Sequence, residues 1–230
     1  MRDYIYSNQE GYFNKFMAKV FGFMFLGLLV TGIVAYLTIA SGLFYQLYMN
    51  ALFFFVPFIV QMACVFLLTA RLQTMSKGGT LGAFLLYSAV TGVTFSTYLM
   101  IFGGGLVFIA FIFTAIVFGC MAIIGFTTNA DLTKYTSFFR VALLSLIFGT
   151  LASMLFHISF FDMCLCYAGL FIFLGLTAVD MQNIKNAYSG AMFDDDTTHK
   201  LAITTALGLY LDFINIFIRV VQILGRNQND

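Results

Sequence analysis

Between Val20 and Ala70 the chain reads VFGFMFLGLLVTGIVAYLTIASGLFYQLYMNALFFFVPFIVQMACVFLLTA, without one charged residue. A membrane-crossing helix needs about 20 mostly apolar residues. This run is too long for one crossing and too apolar for a water-facing surface. It breaks at Ser41-Gly42 and around Met49-Asn50, which predicts spans near 20–40 and 50–71. Gly78 to Ala130 is also charge-free and breaks at Gly103-Gly104-Gly105, predicting spans near 80–101 and 106–127. Val141 to Phe161 supplies a fifth span. Met163 to Val179 supplies a sixth, with Asp162 and Asp180 at its ends, and a seventh runs near 201–223.

Composition agrees. Hydrophobic residues make up 61% of the chain and charged residues 9%, against roughly 25% charged in soluble domains. Such a surface in water would expose large apolar patches and aggregate. The net charge of +1 supplies no clustered basic surface, which argues against nucleic-acid binding. Trp is absent, so any interfacial aromatic belt falls to the 12 Tyr. Cys64, Cys120, Cys164 and Cys166 all sit in apolar runs. The two-residue spacing of Cys164 and Cys166 suits neither a metal site nor a disulfide, and all four are expected to be small buried hydrophobes. The first 19 residues are polar and mixed in charge, unlike a cleaved signal peptide. The expectation is an all-α integral membrane protein. It has a tail at 1–19, one seven-helix domain at 20–223 and a short tail at 224–230.

The predicted connections alternate in charge. Those after the first, third and fifth spans carry no Lys or Arg, whereas the others carry Arg71, Lys77, Lys134, Arg140, Lys185 and Lys200. With Arg2, Lys15 and Lys19 in the tail, the positive-inside rule puts the N-terminus in the cytosol. Seven crossings then put the C-terminus outside. Arg226 lies on the wrong side of that assignment, and a re-entrant last segment is the alternative. Small residues recur at four-residue spacing, as Ser88, Gly92 and Ser96 and as Ser145, Gly149 and Ser153. Such stripes let helices approach closely in lipid.

Ionisable groups inside a bilayer are costly and mark function. Three stand out: Arg71, Asp180 and Asp212. Asp212 falls about a dozen residues after Lys200, near mid-membrane at about 1.5 Å per residue. Its helix carries a polar stripe of Thr205, Gly208, Asp212, Asn215, Arg219 and Gln222. That stripe must face protein or water, which makes the seventh helix central. Asp180 is read as ending the sixth helix, one turn after Thr177, and Arg71 as ending the second, on the face of Gln61, Cys64 and Leu68. Loop charges put all three groups in the cytosolic half. Tyr87, Thr91, Thr94 and Tyr98 form one face of the third helix and could line a polar path. His157 reads as interfacial. Asp194-Asp195-Asp196 reads as a solvated loop that favours the start of the seventh helix.

The stretch from Thr205 to Phe217, TALGLYLDFINIF, closely resembles the signature of the Bax inhibitor family of membrane proteins. Gly175 to Gln182, GLTAVDMQ, resembles that family's sixth-helix motif, and Tyr87 to Gly92 its third-helix segment. The resemblance covers about residues 12 to 226, and the short N-terminal tail is similar to bacterial members. It implies seven helices with the last wrapped by the other six, in a bacterial cytoplasmic membrane. It also implies a pH-sensitive calcium leak rather than an enzyme. Asp180 and Asp212 would be the proton-sharing pair and transient Ca²⁺ ligands. Arg71 would be the latch of the closed state.

Two neighbouring carboxylates in low dielectric are expected to titrate as a coupled pair. Arg71 offers them a tethered cation and Ca²⁺, an oxygen-seeking ion, a mobile one. Thr177, Gln61, Thr91, Thr94, Tyr98, Thr205, Asn215 and Arg219 complete the expected polar path. No cofactor is expected beyond the transported ion. Two other functions remain open. A non-transporting regulator would bind a membrane protease or another membrane protein. An intramembrane aspartyl protease also uses two aspartates, but carries a Gly-x-Gly-Asp motif. Here Asp180 follows Thr-Ala-Val and Asp212 follows Leu-Tyr-Leu.

Overall fold

The computed structural model describes residues 2–48, 51–70, 74–156, 159–189 and 195–226. Helix α1 spans Arg2–Ala40, a short α2 Leu43–Tyr48 and α3 Ala51–Ala70. The long α4 spans Lys77–Thr127. A single 3₁₀ turn at Thr133–Tyr135 leads into α5, Thr136–Phe156, followed by α6, Ser159–Ser189, and α7, Asp195–Arg226. No strand occurs among the described residues. Among the described residues five helical stretches are long and apolar enough to cross a membrane: Gly11–Ala40, Lys77–Thr127, Thr133–Ser153, Phe160–Tyr188 and Thr197–Arg226.

The glycine breaks fall where the sequence puts them. Gly42, at φ 73°, separates α1 from α2. Gly103, at φ 75° and ψ 155°, interrupts α4 in a conformation that side-chain-bearing residues avoid. An unbroken α4 of 51 residues would be about 77 Å long, over twice the roughly 30 Å hydrocarbon core. The expected turn at Met49-Asn50, Arg71, His157 and Asp194 lie outside the described residues, as do the side chains of Asp195 and Asp196. The helix start at Asp195 agrees with an N-terminus that favours acidic residues.

Two boundaries differ from expectation. The fifth span ends at Phe156, and Phe160 to Asp162 open α6 instead. Asp162 stands in the first turn of α6, where its charge suits the helix dipole, and takes a hydrogen bond from the Ser153 hydroxyl. Asp180 does not end the sixth helix, because α6 continues to Ser189. A charge ends an apolar run but not a helix, and Met181 to Tyr188 contain no helix breaker.

The chain divides into two compact units, Met1–Gly103 with Tyr188–Tyr210, and Gly104–Ala187 with Leu211–Asp230. In the first, α1 meets α4 through small residues: a Cβ on Gly92 would lie 2.6 Å from the Thr31 carbonyl oxygen, and one on Gly27 2.6 Å from the Phe84 ring. Ser88 and Ser96 are buried on the same stripe. In the second, Gly125 of α4 abuts the Ala178 backbone of α6 so closely that a Cβ would collide, and Gly149 of α5 meets Leu165 of α6. Ser153 is buried, but Ser145 is exposed and takes no part. Where lipid is as apolar as leucine, such close approach holds helices together.

Large apolar side chains cover the outside. Phe25, Ile101, Phe148 and Phe171 are each more than 60% exposed, a surface that suits hydrocarbon and not water. Two cysteines break expectation: Cys64 and Cys166 are buried, but Cys120 and Cys164 are exposed. An apolar run does not distinguish a lipid-facing position from a core one, since both are apolar. Helix α7 is the exception to the lipid-facing pattern, with 61% of its apolar window buried against 11–39% in the other four candidates.

Candidate functional site

The site begins with α7, whose apolar side chains are more deeply buried than its polar stripe. Ile203, Ala206, Tyr210, Ile216 and Val221 are fully buried. Thr205, Gly208, Asn215, Arg219 and Gln222 are only half-buried, and of the stripe Asp212 alone is buried, at 6% exposure. The polar face is therefore the open side of an otherwise enclosed helix.

Within the second unit, Asp212 and Asp180 are electrostatic neighbours. One carboxyl oxygen of Asp212, Oδ2, is buried without a hydrogen-bond partner among the described residues. Asp180 is half-buried, with Asn183 and the charge of Arg140 of α5 nearby. Thr177, one turn before Asp180, is fully buried, and its hydroxyl donates to the Phe173 carbonyl at 2.9 Å. It is sealed into its own helix and does not face an open path. The Asn215 amide likewise donates to the Leu211 carbonyl at 2.8 Å. Phe213, next to Asp212, packs against Phe111 and Phe118 of α4, each with ring centroids 5.5 Å away. Among the described residues no set of three or more His, Cys, Asp or Glu side chains gathers to hold a metal.

The first unit joins part of the other expected set. The Gln61 amide of α3 donates to the Thr91 hydroxyl of α4 at 3.1 Å, and Thr91 donates to the Tyr87 carbonyl at 2.9 Å. Tyr87 and Thr91 are buried, but Thr94 is exposed and turned back on the Val90 carbonyl at 3.3 Å. Tyr98 is half-buried between the rings of Phe95 and Phe102. The single face expected for Tyr87, Thr91, Thr94 and Tyr98 is thus split. Thr94 lies on its margin, and the buried positions there are Phe95 and Ser96.

Sequence reasoning assigned no packing role to Tyr210, Gln182 or Lys185. Tyr210 is fully buried, shares a 2.6 Å hydrogen bond with Thr31 of α1, and stands edge-on to Phe84 and Tyr87. Thr31 also donates to the Ser88 carbonyl at 3.0 Å, tying α1 to α4. Gln182 clasps the loop after α4, donating to the Ala130 carbonyl at 2.8 Å and accepting from the Leu132 amide at 2.5 Å. Lys185 donates to the Phe126 carbonyl at 2.9 Å, at the end of α4 where a cation suits the dipole. The available signals were a tyrosine hydroxyl within an apolar helix and polar residues just past Asp180.

Fold and site define a class: a multi-pass α-helical integral membrane protein with an interacting aspartate pair inside its spans. The sequence matches the family described as Inhibitor of apoptosis-promoting Bax1 over residues 13–229. It is similar to an uncharacterized protein of Borreliella burgdorferi, 37% identical over 218 residues, or 94% of each chain. It is also similar to the inner membrane protein YbhL of Escherichia coli K12, 36% identical over 217 residues, or 93% of this chain and 92% of the relative. The chain therefore belongs to the Bax inhibitor-1 family.

Proposed function

We propose that this chain is a pH-sensitive calcium leak of a bacterial cytoplasmic membrane, with no catalytic role and no resident cofactor. In this reading the N-terminus is cytosolic and the seven crossings are α1, α3, the two halves of α4, α5, α6 and α7, with α7 central. The burial of α7 and the break at Gly103 support that count. One observation carries the functional reading: Asp212 is buried in a candidate span, one carboxyl oxygen lacks a hydrogen-bond partner among the described residues, and a second aspartate is its electrostatic neighbour. A carboxyl pair of this kind answers to protons and cations, because either relieves the repulsion between its charges. Ca²⁺ is the fitting cargo, as it takes oxygen ligands. Arg71 is the tethered cation of the closed state, and loss of charge on the pair releases it.

The test is calcium flux into liposomes holding the purified full-length protein, measured across pH. Flux should rise as pH falls. Asp212→Asn and Asp180→Asn should each flatten that profile, since a single carboxyl group cannot titrate as a pair. Wild-type protein that passes no Ca²⁺ would sink the leak and favour the regulator. Cleavage of a reporter peptide in the same liposomes, lost in both variants, would favour the protease.

A further inference from the structure

The last two turns of α7 hold an arrangement that goes beyond the expected polar path, of which Arg219 is one member. Arg219, Gln222 and Arg226 recur at three- and four-residue spacing and so share a face. Arg219 and Gln222 are half-buried and Arg226 is exposed. Arg219 Nη1 donates to Gln222 Oε1 at 3.3 Å. The Cys166 thiol of α6 donates to the same Oε1 at 3.4 Å and to the Arg219 carbonyl at 3.6 Å. The guanidinium lies against the bare backbone of Gly169, where a Cβ would sit 2.8 Å from Arg219 Nε. Glycine and glutamine thus fix the arginine on the α6 surface. Both arginines act electrostatically on Cys166, so their charges converge on one part of α6. Among the described residues neither forms an ion pair with a carboxylate.

Depth makes this unusual. With the midpoint of Thr197–Arg226 taken as the bilayer centre, Arg219 falls roughly 11 Å from it along the helix and Arg226 roughly 22 Å, against a hydrocarbon half-thickness of about 15 Å. Arg219 is therefore a cation just inside the hydrocarbon, and Arg226 stands at headgroup level. A guanidinium at the first depth is costly unless it reaches toward the interface or meets a polar or anionic partner. The anion that membranes place there is phosphate, which arginine's planar fork matches.

We propose that Arg219 and Arg226 form a phosphate site on the α6–α7 surface that takes the headgroup of one anionic phospholipid. Arg219 holds the phosphate from the hydrocarbon side, Gln222 keeps the guanidinium in place, and Arg226 closes over it at the interface. On the proposed topology the site gives a role to Arg226, which stands on the wrong side for the positive-inside rule.

The test uses full-length protein in detergent, exchanged with phosphatidylglycerol, with phosphatidylcholine or with inorganic phosphate, and bound molecules counted by native mass spectrometry. We expect one phosphatidylglycerol per chain, retained in preference to phosphatidylcholine and not displaced by inorganic phosphate. Arg226→Gln should weaken retention about tenfold, the worth of one charge-assisted contact. Arg219→Lys, which keeps the charge but loses the fork, should weaken it too. Arg226 is exposed, so its variant tests the site even if changes at Arg219 perturb folding. Equal retention of the two lipids, or full retention in both variants, overturns the proposal. Inorganic phosphate taking the place of the lipid overturns the lipid assignment.

Discussion

Two residues apart on α7, Tyr210 and Asp212 keep opposite company. The tyrosine hydroxyl is matched, bonded to Thr31 and framed by Phe84 and Tyr87. The carboxyl oxygen Oδ2 of Asp212 is not matched. The first is a fixed point; on the leak reading the second is a responsive one. Tyr210→Phe removes one hydrogen bond and leaves Thr31 its bonds to the Gly27 and Ser88 carbonyls. It should cost about 1 kcal/mol, read as a lower unfolding midpoint in detergent; an unchanged midpoint would mean the hydroxyl contact contributes nothing. Arg71→Ala, on the leak reading, should raise calcium flux at neutral pH by removing the tethered cation. Wild-type flux from a folded Arg71→Ala variant would discard the latch.

Elements are punctuated by glycine and by loop capping. Gly103 holds φ 75° and ψ 155°, with open space where a Cβ would go. The strain in Gly103→Ala is therefore conformational alone and should cost roughly 1–3 kcal/mol. Gly104→Ala, also in open space and without positive φ, should be neutral or slightly stabilising. Comparing the two by chemical unfolding tests the break directly, and equal effects would contradict it. Between α4 and α5, outside the spans, Asp131 accepts from the Thr133 amide at 3.0 Å and the Thr133 hydroxyl at 2.6 Å. The Thr133 bonds hold its carboxyl below the usual carboxylate range. A lowered native pKa gives a contribution that is complete above the ordinary carboxylate range and lost as pH falls through the lowered value. Exchange protection of the Thr133 amide should therefore hold at neutral pH and disappear in acid. Protection unchanged in acid would show that the carboxylate does not order this turn.

At the scale of the whole molecule, the proposed seven crossings would place Met1 and Asp230 on opposite sides of the membrane, and reporters fused to each end test it. Both ends on one side would favour a re-entrant last segment. Membrane residence, helical class, the break at Gly103 and the two aspartates were legible along the chain. They follow from runs of apolar residues, missing charge and backbone freedom, which are local quantities in a solvent that forbids unpaired backbone. The resemblance carried by residues 205–217 added the family. Distances across the fold were not legible. Helical spacing put Thr94 with Thr91, but packing left Thr94 outside and drew Phe95 and Ser96 in. An apolar run hid which cysteines meet protein and which meet lipid, because both surroundings reward the same side chains. Asp180 marked the end of apolarity, yet α6 runs on to Ser189, where Gln182 and Lys185 find carbonyls more than 50 residues away in sequence. Only tertiary structure could settle these points, since they depend on which surfaces come within contact distance.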